Sequence, residues 1–320
     1  MEKPLISFIL TYYNFPVKML CECIDSILSL SLKPNEREII VVDDGSEISP
    51  INELQQYSNN IIYIRQRNGG VSTARNLALN TANGEYIQFI DADDTLVNIP
   101  YEHCIDIIRS SNADMVMFDF CYIPKSHSEF HDKGPISGTE LMRNHNIHGS
   151  AWGYLFKQTI RSNLLFTPGI EYGEDEEFTA QLVLRSEALY TTTAKAYLYR
   201  QHQASITKKQ DLKSIIMRLS NTKTVILRLK LLADPMPTPD KKALQRRVAQ
   251  LTMDYLYNII RLTQSRHYFE RKKEELRKNG LFPLPNHNYT TKYTWFRRII
   301  NSPSGVSVLM RIIPLINKER

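Results

Sequence analysis

Hydrophobic residues in the first 120 positions are concentrated in five short runs, separated by polar and turn-forming residues. The runs are apolar at consecutive rather than alternate positions, which is typical of strands buried on both faces inside a parallel sheet. The first run reads LISFILTYY. The predicted strands are Leu5–Tyr13, Arg37–Asp44, Asn60–Arg65, Glu85–Ile90 and Ala113–Phe118.

The segments between these strands carry apolar residues at the three- and four-residue spacing of amphipathic helices. Pro16 and Pro100 stand near the start of two of them, where proline is well tolerated. The predicted helices are Val17–Leu30, Ser49–Tyr57, Val71–Leu79 and Tyr101–Ser111. Strands that alternate with helices of this length predict a doubly wound α/β domain with a Rossmann-like sheet.

The pattern becomes less regular after Phe120 and then helical from about Ser205 onward. We expect a first domain over residues 1–206 and a helical extension over residues 207–320. The elements predicted in this part are a loop over Ile123–Gly138, a helix over Asp175–Arg185, a strand over Leu189–Tyr199, helices over Leu212–Leu232, Asp240–Thr263 and Tyr268–Lys278, a Pro-rich linker over Asp234–Asp240, and short basic-apolar segments over Trp295–Ile300 and Val306–Ile316.

Charge divides the chain at the same place. Residues 1–206 carry 16 Lys and Arg against 26 Asp and Glu, whereas residues 207–320 carry 24 against 8. The formal net charge of +6 therefore combines an acidic front with a basic back. We do not expect such a chain to bind a single partner through a single surface.

The sequence shows no sign of secretion or membrane insertion. Four irregularly spaced cysteines do not make a disulfide framework, so we expect free thiols in a reducing cytoplasm. The N-terminus lacks the apolar core and cleavage site of a signal peptide. No stretch reaches the roughly 18 uninterrupted apolar residues of a spanning helix. We therefore expect a cytoplasmic protein that does not cross a membrane.

Acidic residues close two of the predicted strands. Asp43 and Asp44 follow the second, and Asp91, Asp93 and Asp94 follow the fourth. Either cluster alone is compatible with an ordinary polar turn. The carboxyl ends of parallel strands meet in one crevice, however, and two acidic clusters there repel each other unless a cation lies between them.

The kind of site follows from the ligand chemistry. Carboxylates suit Mg²⁺ or Mn²⁺, and these ions commonly share their coordination with substrate phosphates. The chain has neither the G-x-x-x-x-G-K-[ST] loop of ATP and GTP binders nor a G-x-G-x-x-G after the first strand. The sequence therefore predicts phosphate binding through a metal rather than through a glycine-rich loop.

Several segments in chain order resemble the motifs of the family 2 glycosyltransferases with the GT-A fold. The resemblance covers about residues 5–206 and leaves the helical extension outside it. The segments are Ser7–Asn14 (SFILTYYN), Val42–Ser46 (VDDGS), Asn68–Asn76 (NGGVSTARN), Asp91–Asp94 (DADD, the DxD motif), Gly173–Phe178 (GEDEEF, the GED-x-x-F motif) and Tyr199–His202 with Ser205 and Ile206.

The resemblance implies an inverting, metal-dependent transfer of a hexose or N-acetylhexosamine from a UDP-sugar. The acceptor would be a glycan or lipid-linked saccharide, in capsule, lipopolysaccharide or exopolysaccharide assembly. Carried over by motif, the implied roles are base and ribose binding for Thr11, Tyr13 and Asp43 or Asp44, a place near the sugar or diphosphate for Arg75, metal binding for Asp93, ribose or sugar contact for Asp91, and the general base for Asp175.

Four candidates have a competing structural interpretation. Trp152 could pack on an acceptor sugar or belong to the core. His202 could reach the diphosphate or end an exposed strand. Asp175, and Glu174 as its support on the acceptor side, could instead be the acidic first turn of a helix.

The basic extension allows three interpretations. Clustered bases such as Arg246 and Arg247 are typical of solvated helical faces. The segments near Trp295 and Ile312 interleave arginine with large apolar residues, which suits a helix in the headgroup layer of an anionic membrane or one that mediates oligomerisation. Two alternative functions are a nucleic-acid-binding protein and a non-catalytic GT-A scaffold. Nucleic-acid binding is less well supported, because the acidic strand ends would repel phosphate.

Overall fold

The computed structural model describes residues 3–124, 129–201, 211–302 and 304–316. The chain forms two compact units. The first unit contains Met1–Gly138 and His148–Gln203, and the second contains Thr139–Ile147 and Ala204–Arg320. The sequence pattern does not predict that residues 139–147 belong to the second unit. The domain boundary predicted at residue 206 lies outside the described residues.

The described part of the first unit contains one sheet. Its strands, numbered along the chain, are β1 (Ile6–Tyr12), β2 (Arg37–Asp43), β3 (Ile61–Arg65), β4 (Tyr86–Asp91), β5 (Thr95–Leu96), β6 (Met115–Cys121), β7 (Asp132–Ile136), β8 (Tyr154–Lys157) and β9 (Leu189–Leu198). Their spatial order is β3-β2-β1-β4-β8-β6-β9-β5, with β7 paired to β9.

The sheet is parallel in its first half and mixed in its second. Strands β1 to β4 pair in parallel, as the apolar runs predict. Strand β8 then runs antiparallel between β4 and β6, so β6 and its parallel neighbour β9 point the same way as β4. The C-terminal ends of β1, β2, β4, β6 and β9 therefore share one edge of the sheet.

Three strands have no counterpart in the sequence prediction, and one of them, β5, has only two residues. The predicted loop Ile123–Gly138 is wrong in part, because β7 lies within it. Within the described residues this strand pairs with β9 alone, and it is almost entirely exposed, so its residues carry no apolar signature. Strand β8 has only four residues, too few for a periodic pattern, although three of them are buried.

The helices mostly follow the predicted segments. They are α1 (Val17–Leu28), α2 (Ile51–Leu54), α3 (Val71–Thr81), α4 (Asn98–Ser111), α5 (Gly138–Asn144), α6 (Gln158–Arg161), α7 (Glu174–Leu184), α8 (Leu212–Ala233), α9 (Thr238–Thr263), α10 (Arg266–Lys278), α11 (Thr291–Asn301) and α12 (Gly305–Ile316). Helix α9 begins inside the predicted linker because Pro239 fits its first turn.

An aromatic layer fills the first unit beneath β4. Phe166 and Phe178 stack with ring centroids 4.0 Å apart, and Phe89 meets Phe178 edge-on at 5.9 Å. The guanidinium of Arg75 lies 5.2 Å from the centroid of the Phe166 ring. The core therefore supports a buried cation on the side where α3 and α7 meet the sheet.

The second unit is helical, and part of its basic charge is internal. Arg246 is 2% exposed, and its Nη1 donates to the carbonyls of Met142 (2.9 Å) and His145 (2.7 Å). It thus satisfies carbonyls in the last turn of α5 and just beyond it. The expectation of a solvated face is wrong for Arg246 and for its buried neighbour Arg247.

The last two helices are amphipathic and expose some large apolar residues. Trp295 is 58% exposed on α11, and Val308 and Ile312 are 43% and 44% exposed on α12. Among the described residues, no helix is both long and apolar enough to span a bilayer.

Candidate active site

The site is organised by the side chain of Arg75, which projects from α3 and is 5% exposed. Its Nη2 donates to Asp91 Oδ1 at 3.1 Å, where β4 ends. Its Nη1 donates to Glu174 Oε1 at 3.2 Å and to Asp175 Oδ1, in the first turn of α7. One guanidinium therefore joins carboxylates that are up to 100 positions away in the sequence.

The carboxylates around Arg75 outnumber the positive charge. Asp91, Glu174 and Asp175 contact it directly, and Asp93 and Asp94 follow on the same turn. Burial raises the pKa of Asp91 to about 6 and that of Glu174 to about 8, despite the opposing effect of Arg75. A cluster of this composition is stabilised by a proton or by a further cation.

Asp91, Asp93 and Asp94 are placed to share such a cation. Ligand oxygens of the three residues lie within 4.8 Å of one another. The side chain of Asp94 is buried, with one oxygen accepting from the Arg200 amide at 2.7 Å and the other unpartnered within the described part of the chain. Burial, Asp91 and Asp93 raise the pKa of Asp94 to about 8.

The donor set fits the predicted metal. Three clustered carboxylates and a buried oxygen in need of a partner suit Mn²⁺ or Mg²⁺. Asp93 is the ligand that the motif predicts, and the structure adds Asp94 and Asp91 as further candidates beside it. Arg200 holds this turn in place, because its Nε donates to the Asp93 carbonyl and its Nη1 contacts Glu22.

Asp44 organises the loop that precedes α3. Its Oδ1 accepts from the Gly69 amide at 2.9 Å and from Gln66 Nε2 at 2.6 Å, and its Oδ2 accepts from the Gly70 amide at 2.8 Å. This buried carboxylate thereby fixes the point at which the helix carrying Arg75 begins. A structural role of this kind is invisible in the sequence, which shows only two adjacent aspartates after a strand.

Asp43, like Asp44, accepts hydrogen bonds from its surroundings with both carboxylate oxygens. Its side chain is fully buried, with Oδ1 accepting from the Ser46 amide at 2.8 Å and Oδ2 from the Tyr63 hydroxyl at 2.9 Å. Gly45 follows with φ +76°, and a Cβ there would lie 2.6 Å from the amide nitrogen of Asn68. The turn is therefore closely packed. Contact of Asp43 or Asp44 with a nucleotide base stays a prediction.

Thr11 and Tyr13 lie at the same edge of the sheet as the metal-binding candidates. Thr11 is in register with Asp91 on β4 and with Val42 on β2. Tyr13 follows β1 and is 51% exposed. Thr11 thus lies beside Asp91, and Tyr13 is exposed after the same strand, on the parallel half of the sheet where the base and ribose are expected.

Asp175 lies at the start of α7, directly after Gly173 and Glu174. Its Oδ2 accepts from the Ala151 amide at 3.0 Å, while Oδ1 contacts Arg75. The side chains of Asp175 and Glu174 are 19% and 13% exposed. Each carboxylate oxygen can accept more than one hydrogen bond, so Asp175 retains capacity for a proton from a bound hydroxyl.

Trp152 belongs to the core in this structure. It is 7% exposed and stacks on Tyr197, with ring centroids 4.3 Å apart and an interplanar angle of 10°. Its carbonyl accepts from Gln88 Nε2 at 2.8 Å. The core interpretation thus describes its placement, and direct contact with an acceptor stays a prediction. His202 lies outside the described residues.

Comparison with known proteins identifies the family that this site belongs to. The model of the glycosyl transferase family 2 matches residues 7–165, which include the Asp43, Arg75 and Asp91–Asp94 segments. Residues 7–165 belong to glycosyl transferase family 2. The prediction from the motifs is confirmed in this respect.

Individual relatives agree with this assignment. The Bacillus subtilis glycosyltransferase EpsJ is 29% identical over 223 residues, which cover 64% of this chain and 63% of EpsJ. The B. subtilis minor teichoic acid biosynthesis protein GgaB is 27% identical over 218 residues, covering 65% of this chain and 24% of GgaB. The chain thus spans less than two thirds of the length of these curated relatives.

A solved structure confirms the fold. The structure of Staphylococcus aureus TarS 1–349 in complex with UDP-GlcNAc superposes with a TM-score of 0.63 at 16% identity. The superposition covers 98% of this chain and 91% of the TarS chain. The chain therefore has the GT-A fold with C-terminal helices that the sequence predicts.

The burial of Glu174 predicts a pH dependence of stability. The pKa of this carboxyl is raised from 4.5 to about 8 in the folded protein, so its ionisation opposes folding. The cost is absent below about pH 4.5 and grows as the pH rises toward 8. Between pH 5 and 8 the ligand-free wild type should lose about 2 °C or more in melting temperature relative to Glu174→Gln.

Thermal scans across this pH range test the prediction. Glu187→Gln, a substitution at an exposed acid of the same unit, serves as the control and should follow the wild type. Parallel curves for wild type and Glu174→Gln would show that Glu174 does not titrate in this range.

Proposed function

We propose that this protein transfers a hexose or N-acetylhexosamine from a UDP-sugar to a hydroxyl of a glycan or lipid-linked acceptor, with inversion at the anomeric carbon. The observation that carries the proposal is the ion-pair cluster around Arg75, which places Asp175 beside the carboxylates of Asp91, Asp93 and Asp94. The family and the UDP-GlcNAc bound to TarS support a nucleotide-sugar donor.

The turn formed by residues 91–94, which we call the aspartate turn, would hold the donor diphosphate through a divalent cation. Asp93, with Asp94 and Asp91 beside it, would bind Mn²⁺ or Mg²⁺. Bound there, the ion supplies Lewis acidity that stabilises charge on a departing diphosphate. Arg75 holds the carboxylate of Asp91 at the start of this turn. Thr11 and Tyr13 would contact the base and ribose. Asp43 and Asp44 support the loops on that side.

Asp175 would act as the general base on the acceptor side. As the acceptor oxygen forms its bond to the anomeric carbon, its proton passes to the Asp175 carboxylate, and the bond from that carbon to the UDP oxygen breaks. The Ala151 amide and Arg75 fix the orientation of the carboxylate. Glu174 would support the acceptor beside it. A single displacement of this kind inverts the anomeric configuration.

The acceptor is proposed from the relatives. EpsJ is a glycosyltransferase and GgaB is a minor teichoic acid biosynthesis protein. We propose that this chain likewise builds a bacterial surface polymer, working at the inner face of the cell membrane. A nucleic-acid partner would not explain the acidic edge of the sheet, which would repel phosphate in the absence of metal.

Donor binding should depend on metal through Asp93. With Mn²⁺, a UDP-sugar at about a hundredfold its Kd should stabilise the protein by about 2.7 kcal/mol, which a thermal shift detects. Asp93→Ala should remove the dependence of this shift on Mn²⁺. Asp106→Ala, at an exposed aspartate of α4, should not. If a chelator weakens donor binding equally in the wild type and in Asp93→Ala, the metal assignment is wrong.

Removal of the proposed base should separate binding from chemistry. Asp175→Asn keeps the shape of the side chain and should bind the UDP-sugar like the wild type, yet lose about 10²- to 10⁴-fold in transfer rate. Transfer is measured as release of UDP with acceptor present, and Glu187→Gln is the matched control. Unchanged turnover would remove Asp175 from its role. Donor binding without transfer in the wild type itself would favour the non-catalytic scaffold.

We further propose that α11 and α12 bind an anionic membrane surface. The exposed Trp295, Val308 and Ile312 are accompanied by the exposed bases Arg298 and Arg311. Apolar side chains among bases are suited to the headgroup layer of anionic lipid. Trp295→Gln with Ile312→Gln should reduce sedimentation with phosphatidylglycerol vesicles several-fold, whereas Leu231→Gln, an exposed site on α8, should not. Equal sedimentation of both variants would favour oligomerisation instead.

A further inference from the structure

Four aromatic side chains form a connected surface cluster where β6, β8 and β9 meet. We call it the aromatic platform, and its members are Phe120, Tyr122, Trp152 and Tyr199. Phe120 makes T-shaped contacts with the other three rings, at centroid distances of 5.3 Å to Trp152, 5.5 Å to Tyr122 and 6.4 Å to Tyr199. Tyr199 in turn lies 6.0 Å from Tyr122 and 6.1 Å from Trp152.

The platform begins directly beside the reacting groups. Trp152 follows Ala151, whose amide donates to Asp175. Trp152 also stacks on Tyr197, whose hydroxyl accepts from the Asp91 amide at 3.0 Å. Trp152 therefore connects the platform to the proposed base through the Ala151 amide and to Asp91 through Tyr197.

The position in the sheet places the platform on the acceptor side. The C-terminal ends of β6 and β9 lie at the same edge as those of β1 and β4, because these strands all run in one direction. The predicted base-binding residues Thr11 and Tyr13 lie beyond β4 on the parallel half. The platform lies on the opposite side of β4, across β8.

Exposure distinguishes the platform from ordinary core. Among its members, Trp152 is buried, Phe120 and Tyr199 are partly buried, and Tyr122 is 56% exposed. An exposed tyrosine contributes little to the core, whereas its face remains available to a ligand. At the margin, His148 and Asp119 pair at 3.5 Å, with side chains 27% and 49% exposed. Apolar faces bordered by polar groups match a pyranose ring, whose C–H faces are apolar and whose rim carries hydroxyls.

We propose that the aromatic platform binds a sugar ring of the acceptor and so helps to select it. The proposal rests on the proposed glycosyltransferase function. The ring would pack on Tyr122 and Tyr199, with Trp152 and Phe120 holding these side chains in place. His148 and Asp119 would contact ring hydroxyls. Such a ring would lie on the Trp152 side of Asp175, where one of its hydroxyls could serve as the acceptor.

The test is a saturation-transfer NMR titration of the full-length protein, with UDP and Mn²⁺ present, against the methyl β-glycosides of glucose, galactose and N-acetylglucosamine. At least one of them should bind the wild type. Tyr122→Ala and Tyr199→Ala should each weaken that binding about 3- to 10-fold, since stacking contributes modestly. Tyr122→Phe retains the ring and should bind like the wild type. Trp295→Ala, at an equally exposed aromatic of the second unit, is the control.

The donor-induced thermal shift distinguishes failure of the platform proposal from failure of the proposed function. If the UDP-sugar stabilises every variant but no glycoside binds the wild type, or if both alanine variants bind glycosides like the wild type, the platform proposal is wrong and the proposed function stands. If the UDP-sugar fails to stabilise the wild type, the proposed function fails. A normal donor shift in the alanine variants also shows that they are folded.

Discussion

The site depends on a single buried guanidinium that joins carboxylates from distant parts of the chain. Arg75 connects the end of β4 with the first turn of α7, and without it Asp91, Glu174 and Asp175 would repel one another in a poorly solvated place. Loss of one partner from a buried ion pair typically costs several kcal/mol. The position of Arg75 depends in turn on Asp44, which fixes the loop before α3. A buried structural carboxylate thus supports the proposed catalytic ones.

The change of strand direction divides the sheet between the two proposed substrates. The parallel half, β1 to β4, carries Thr11, Tyr13 and the aspartate turn, which suit a nucleotide diphosphate and a metal. Strand β8 reverses direction, and the mixed half that follows brings Trp152, Phe120 and Tyr199 to the same edge. Asp175 lies between the two through its contacts with Arg75 and the Ala151 amide. A base in this position can take the proton of an acceptor hydroxyl while it stays in contact with Arg75.

Residue pattern alone predicts every strand of the parallel half of the sheet, whereas in the mixed half it predicts β6 and β9 but not β5, β7 or β8. Runs such as that of β1 are apolar throughout because the strand is covered on both faces, so the pattern is strong. Strand β7 is an exposed edge, and β8 is only four residues long, so neither leaves a pattern to detect. Burial of Arg246 depends on carbonyls of α5 about 100 positions away, which no local pattern reveals.

The motifs identified most of the residues at the site but not their partners. Asp91, Asp93 and Asp175 were found because their spacing matches a family, whereas the contacts of Arg75 with three carboxylates are a product of the fold. The aromatic platform was missed for the same reason. Its members lie in three separate segments, and only Tyr199 stands within a family motif.

The most direct test of the account is a crystal structure of the protein with a UDP-sugar and Mn²⁺, with anomalous scattering recorded for the metal. The account predicts one manganese peak within about 2.0–2.6 Å of a carboxylate oxygen of Asp93, in contact with the diphosphate, with Asp175 facing the anomeric carbon from the other side. A donor bound away from Asp93, or an anomeric carbon out of reach of Asp175, would contradict it.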